Sequence, residues 1–221
     1  QRDVDDAKAF CKKEGIEHHT VPFPILTVPH VEENPEDRCY FCKHALFAHM
    51  KELAAERGLA AVVDGSNLDD DGDYRPGHKA LKELAIVSPL HEAGMRKADI
   101  RALSKVLGLP TWDKPSFACL ASRFPYGTAL TPEGLARVNR AEEFLMATGF
   151  RQLRVRAHGE VARIELVPED IPRFLEKGLR EETAAYFKHI GFAYTALDLL
   201  GYRTGSLNET LHDDVETAEN P

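Results

Sequence analysis

The chain has 221 residues, 43% of them apolar, and a formal net charge of −8. That length and apolar content suit one large core or two modest ones, and the acidic balance disfavours a protein that grips a phosphate backbone through many Lys and Arg contacts. No apolar run approaches the roughly 20 residues that span a bilayer, and the opening Gln1-Arg2-Asp3-Val4-Asp5-Asp6 is unlike a signal peptide, so a soluble cytoplasmic protein is expected, with neither nucleic acid nor membrane as partner.

In a reducing compartment, four cysteines serve as metal ligands, reactive thiols or core residues rather than disulfides. Val4, Ala7, Phe10 and Cys11 follow helical spacing up to Gly15, with Cys11 on the apolar side as a core residue. Residues 17–29 mix β-branched and aromatic side chains with prolines, which predicts a short strand running into an irregular loop. Asn34, Pro35 and Glu36 signal a second helix, whose stripe of Ala45, Leu46, Phe47, Met50, Leu53 and Ala54 ends before Gly58. Residues 60–64 form a continuous apolar run of the kind buried on both faces of a parallel sheet. A helix near 78–84 leading to Ile86-Val87-Ser88, and a helix over 97–107 closed by Gly108, continue the alternation. The pattern predicts an α/β fold with a parallel sheet.

Residues 109–127 are rich in proline and lack periodicity, as functional loops often do. The rhythm then changes to a helix (132–148), a strand (152–156), a turn at His158-Gly159, a strand (161–167), two helices and a last strand (192–199). That is a smaller α+β domain with a hairpin, and the boundary is placed near Gly127. The expected organisation is 1–127 for the α/β domain, 128–210 for the α+β domain and 211–221 for a disordered acidic tail. No first strand with a glycine-rich phosphate turn precedes Asp3 and no Met opens the chain, so the sequence is expected to be N-terminally incomplete.

Three motifs carry the chemistry. Cys39-Tyr40-Phe41-Cys42 is a CxxC at a helix mouth, flanked by Arg38 and Lys43, where a thiolate is favoured. It reads as half of a zinc site, a redox pair, two ligands of an iron–sulfur cluster, or two small residues at a helix start. The loop from Gly65 to Gly77 follows a strand, at the sheet edge where open α/β folds bind ligands. Its Asp69 and Asp70 suit Mg²⁺ and phosphate chemistry, or belong to an acidic surface loop. Cys119 lies among small residues between Lys114 and Arg123, as a nucleophile, a ligand or a buried thiol. Finally, Arg154 and Arg156 share one face of a strand, as a phosphate clamp or, since Arg163 and Glu165 alternate in the same way across the hairpin, as members of plain cross-strand ion pairing. Replacing either arginine is expected to weaken substrate binding with little effect on stability.

Together, Pro35-Glu36-Asp37-Arg38-Cys39-Tyr40-Phe41-Cys42-Lys43, the Gly65-Ser66-Asn67-Leu68-Asp69-Asp70 loop with Asp73-Tyr74-Arg75-Pro76-Gly77, Ala118-Cys119-Leu120-Ala121-Ser122-Arg123-Phe124-Pro125-Tyr126-Gly127 and Arg154-Val155-Arg156-Ala157-His158-Gly159 resemble the LarE family. The resemblance implies a PP-loop ATP pyrophosphatase domain, although the family's opening Ser-Gly-Gly-x-Asp-Ser motif is absent here. It implies nickel-pincer cofactor synthesis, in which ATP, with Mg²⁺, activates the carboxylates of a pyridinium biscarboxylic acid mononucleotide for conversion to thiocarboxylates. Sulfur comes either from sacrifice of Cys119, or from a sulfide donor through a [4Fe-4S] cluster on Cys39, Cys42 and Cys119. The presence of all three cysteines favours the cluster. By the same resemblance, Gly65, Ser66, Asn67, Asp69 and Asp70 lie by the nucleotide, Arg123, Arg154, Arg156 and Arg203 hold the substrate phosphate, and the assembly is a homo-hexamer. A tRNA-thiolating PP-loop enzyme and a non-catalytic zinc- or nickel-binding module are the rival readings.

Overall fold

The computed structural model describes residues 2–71, 75–115 and 117–208. Gly72, Asp73, Tyr74 and Ser116 of the motifs, and the acidic tail, lie outside the described residues. The chain forms two compact units: Gln1–Val28 with Cys39–Lys114, and Pro29–Arg38 with Pro115–Pro221.

The first unit begins with α1 (Arg2–Glu14), ended by Gly15 at φ 68°, a left-handed conformation that glycine adopts at little cost. The expected strand after it is absent. Residues 16–24 are irregular and Ile25–Thr27 is a 3₁₀ turn, because Pro22 and Pro24 remove the N–H groups a ladder needs. α2 (Arg38–Glu56) carries the CxxC in its first turn. α3 (Gly77–Glu83), α4 (Pro89–Glu92) and α5 (Lys97–Val106) follow, and Phe47, Leu81 and Ile86 form a buried cluster with Val62 and Leu84 against it. The run 60–64 is not buried on both faces as expected: Val63 is 55% exposed and makes one parallel bridge, to Val87. A strand bridged on one side leaves half its backbone groups and much of its surface outward, which accounts for the exposure.

The second unit is built on a mixed sheet. β1 (Leu153–His158) pairs antiparallel with β2 (Val161–Leu166), and β2 pairs parallel with β3 (Tyr194–Leu197). The hairpin turns at Gly159, with φ 62°. α6 (Pro132–Ala147) starts at the Thr131 cap and packs on β1. After α7 (Ile171–Phe174), α8 (Lys177–His189) packs on β3. Val138, Ala141 and Leu145 of α6 and the sheet's Leu153, Val155, Ile164 and Leu166 are all fully buried. The segment 29–38 joins this unit through hydrogen bonds. Gly127 N donates to Asn34 O (2.8 Å), Leu130 N to Glu32 O (2.7 Å) and Asn34 Nδ2 to Pro125 O (2.8 Å). Asn34 is therefore a buried anchor at φ 55°, a conformation asparagine tolerates, rather than the helix cap its sequence position suggests.

Candidate functional site

Three of the four arginines singled out in sequence converge in the second unit. β1 is buried on both faces, so Arg154 and Arg156, opposite Leu153 and Val155, are only 5% and 6% exposed. Arg123, at the end of the 3₁₀ turn Leu120–Arg123, is 1% exposed. Each contacts the segment 117–122 that bears Cys119. Arg123 Nη1 donates to the carbonyls of Ala118 and Cys119 (both 3.3 Å) and to Ser122 Oγ (2.8 Å). Arg156 Nη1 donates to Ser122 O (2.8 Å), and the Arg154 guanidinium lies 5.9 Å from the centre of the Phe117 ring. Cys119 itself is exposed.

Two buried carboxylates hold this group. Glu142 of α6 accepts from Arg123 Nε (2.6 Å) and Nη2 (3.0 Å), and its Oε1 also accepts from Val155 N (3.0 Å). One side chain thus ties a helix, the β1 backbone and Arg123. Glu165 of β2 is fully buried and accepts from Arg156 Nε (2.5 Å) and Nη2 (3.2 Å) and from Arg163 Nη2 (3.0 Å), while Ser206 Oγ accepts from Arg156 Nη2 (2.6 Å). The ion pairing foreseen across the hairpin is present, but on the diagonal, since Arg154 is the register partner of Glu165. Arg154 donates to Leu153 O (2.7 Å), and its guanidinium also lies 5.0 Å from the Tyr202 ring. Burial first, and then the neighbouring Arg123, push its pKa down, so an anion placed beside it would relieve a crowded positive field. Arg203 belongs to another pairing, donating to Asp198 Oδ1 (3.3 Å) and Gly201 O (3.0 Å).

In the first unit, the Gly65–Asp70 segment closes on itself. Asn67 caps the 3₁₀ turn Leu68–Asp70, whose Asp70 carboxylate accepts from Asn67 N (3.0 Å) and pairs with Arg75 (2.7 Å). Asp69 pairs with Arg96 (2.8 Å) and accepts from Lys97 N at the start of α5 (2.8 Å). Both carboxylates expected to serve Mg²⁺ are thus engaged in protein contacts. Sequence reading missed Asp64, which accepts from Ser66 Oγ and Ser88 Oγ (both 2.5 Å) at the ends of the two bridged segments. Burial opposes its ionisation, yet the Ser66 and Ser88 hydrogen bonds and the Lys43 charge hold its carboxyl below the usual range. Cys39 and Cys42 are half-buried at the start of α2, and Cys11 is half-buried rather than fully in the core. Among the described residues, no three His, Cys, Asp or Glu side chains stand as a group able to hold a metal ion.

Glu142, Phe117, Tyr202 and Ser206 also escaped sequence reading. Only Glu142 left a signal, as a charge on the stripe of Val138, Ala141 and Leu145.

No protein-family model matches the chain. It is 38% identical over 209 residues to the pyridinium-3,5-bisthiocarboxylic acid mononucleotide synthase of Lactiplantibacillus plantarum, covering 95% of this chain and 75% of that one. The chain belongs to the LarE family of enzymes. It is also 46% identical over 209 residues to an uncharacterised protein of Synechocystis, covering 95% of this chain and 78% of that protein. An uncharacterised protein of Methanocaldococcus jannaschii is 30% identical over 180 residues, or 81% of this chain and 69% of its own length. The LarE relationship extends across both compact units, so it includes the CxxC, the Asp64 loop and the arginine-bound Cys119 segment. Among the described residues, no helix is long and apolar enough to cross a membrane.

Proposed function

We propose that this LarE-family chain acts in nickel-pincer cofactor synthesis, transferring sulfur to ATP-activated carboxylates of a pyridinium biscarboxylic acid mononucleotide in the cytoplasm. The observation that carries this reading is the meeting of Arg123, Arg154 and Arg156 at the segment bearing an exposed Cys119. Guanidinium groups suit a phosphate monoester, and a thiol beside them suits a reacting carbonyl. A carboxylate is a poor electrophile. Its attack on the α-phosphorus of ATP gives an acyl-adenylate and pyrophosphate, and a sulfur nucleophile then displaces AMP.

The unit containing Asp64 and the Val63–Val87 bridge belongs, in this reading, to a PP-loop domain. Gly65, Ser66, Asn67, Asp69 and Asp70 lie by the nucleotide and Mg²⁺ accompanies ATP. Residues 1–127 are assigned to ATP activation and 128–210 to the smaller domain; Arg203 joins the phosphate set, and the assembly is a hexamer. Cys39, Cys42 and Cys119 would hold a [4Fe-4S] cluster supplied by an external sulfide donor. Three thiols match the donors such a cluster takes, while the described residues present no formed metal-holding group.

The test is the intact mass of the full-length gene product before and after a single turnover with ATP, mononucleotide and sulfide. Thiocarboxylate product with unchanged protein mass is expected. Loss of roughly 34 Da, the mass of H₂S, would mean that Cys119 became dehydroalanine and would overturn the cluster assignment. Absence of thiocarboxylate would overturn the sulfur-transfer reading.

A further inference from the structure

Two aromatic rings that sequence reading did not connect with Arg154 lie beside its guanidinium. Its guanidinium lies 5.9 Å from the Phe117 ring centre and 5.0 Å from that of Tyr202, and its Nη2 reaches Tyr202 Oη at 3.4 Å. Tyr202 is fixed from its own backbone, whose N–H donates to Leu166 O at 2.7 Å. The preceding residue is Gly201 at φ 69°, and a Cβ there would stand 2.5 Å from the same Leu166 oxygen. Only glycine satisfies both the left-handed backbone and that close approach, so the turn is built to press the 202 ring against β1. Phe117 lies two residues before Cys119, which gives the rings different attachments: one to the sheet, one to the cysteine segment.

A guanidinium on an arginine's flexible stem loses rotamer entropy when it binds an anion. Rings packed beside the guanidinium beforehand restrict its motion and remove part of that loss. We propose that Tyr202 and Phe117 are positioning residues that orient Arg154 toward the substrate phosphate, with Gly201 as the backbone device that seats Tyr202. The proposal rests on the assignment of Arg154 to that phosphate. Tyr202 acts mainly through its ring, since the 3.4 Å contact of its hydroxyl is long for a hydrogen bond.

The experiment measures by calorimetry the binding of the pyridinium biscarboxylic acid mononucleotide and of its phosphate-free riboside. The proteins are wild type, Arg154→Ala, Tyr202→Ala, Tyr202→Phe and Phe117→Leu, each checked for an unchanged thermal transition. Arg154→Ala should weaken mononucleotide binding about tenfold, and Tyr202→Ala and Phe117→Leu about threefold to tenfold. Tyr202→Phe should restore binding to within about twofold, and riboside binding should be the same in all five proteins. A purely structural role would weaken both ligands together. If Arg154→Ala weakens the mononucleotide while Tyr202→Ala does not, the ring clamp is overturned and the phosphate assignment stands. If Arg154→Ala has no effect, both fall.

Discussion

Arg123 and Arg156 are buried because each has a carboxylate to share the cost of leaving water. Removing one partner of such a pair is more damaging than the net worth of the pair, since the other charge stays in the interior. Glu142→Ala should therefore destabilise the protein by about 3–5 kcal/mol, measured by urea denaturation with the m-value unchanged. A loss under about 1 kcal/mol would mean that Arg123 finds another partner or water. Arg156→Ala follows the same logic, because it removes two donors from the fully buried Glu165 and leaves Arg163 as its remaining ion partner. The expectation from sequence that this substitution would spare stability does not survive that geometry. Alternation along 152–156 reveals which face Arg156 shares, but not that the face is covered. Asp64 has a different signature. Its folded pKa lies below the ordinary 3.8, so in the interval beneath that value the unfolded chain binds more protons than the folded one. Its contribution is present above pH 3.8 and is lost as pH falls through the lower, folded value. Asp64→Asn should flatten this acid limb of the stability curve, and an identical limb in both proteins would contradict the role given to Ser66 and Ser88.

At the scale of elements, α3 sits close against the first turn of α2 because its first residue is Gly77. A Cβ there would lie 2.6 Å from Lys43 Cδ and 3.3 Å from Cys39 O. Gly77→Ala should cost about 1–3 kcal/mol in thermal or chemical unfolding. Much of that should return in Gly77→Ala with Lys43→Ala, since the tighter contact is with a movable side chain. An additive double variant would show that the Cys39 carbonyl, not Lys43, resists the methyl group. The helices and the hairpin were legible because periodicity and glycine stops are local: α1, α2, α5 and α6 begin or end within a few residues of where the apolar spacing puts them. The strand expected in 17–29 was not, since three prolines outweigh β-branched composition. Asn34 misled for a different reason. Its partners, Pro125 and Gly127, are about ninety residues away, and nothing local announces a long-range anchor.

For the molecule as a whole, the cysteines and arginines to which the proposed function is assigned were visible as residue types in motifs, whereas the group that Arg123, Arg154 and Arg156 form around 117–122 depends on the register of β1 with β2 and on α6. That is why Glu142, Phe117 and Tyr202, each distant in sequence from the arginine it touches, went unread. The two compact units each carry part of the proposed chemistry, the Asp64 loop and CxxC in one and the arginine-bound Cys119 segment in the other. The most direct test of the central claim is the product made by the full-length protein, and by its Cys119→Ala variant, from ATP, sulfide and the pyridinium biscarboxylic acid mononucleotide under anaerobic single-turnover conditions, read by mass spectrometry together with AMP. The account predicts one oxygen replaced by sulfur for each AMP released by the wild type, and none by the variant. An unaltered mononucleotide, sulfur entry without AMP, or equal yield from Cys119→Ala would contradict it.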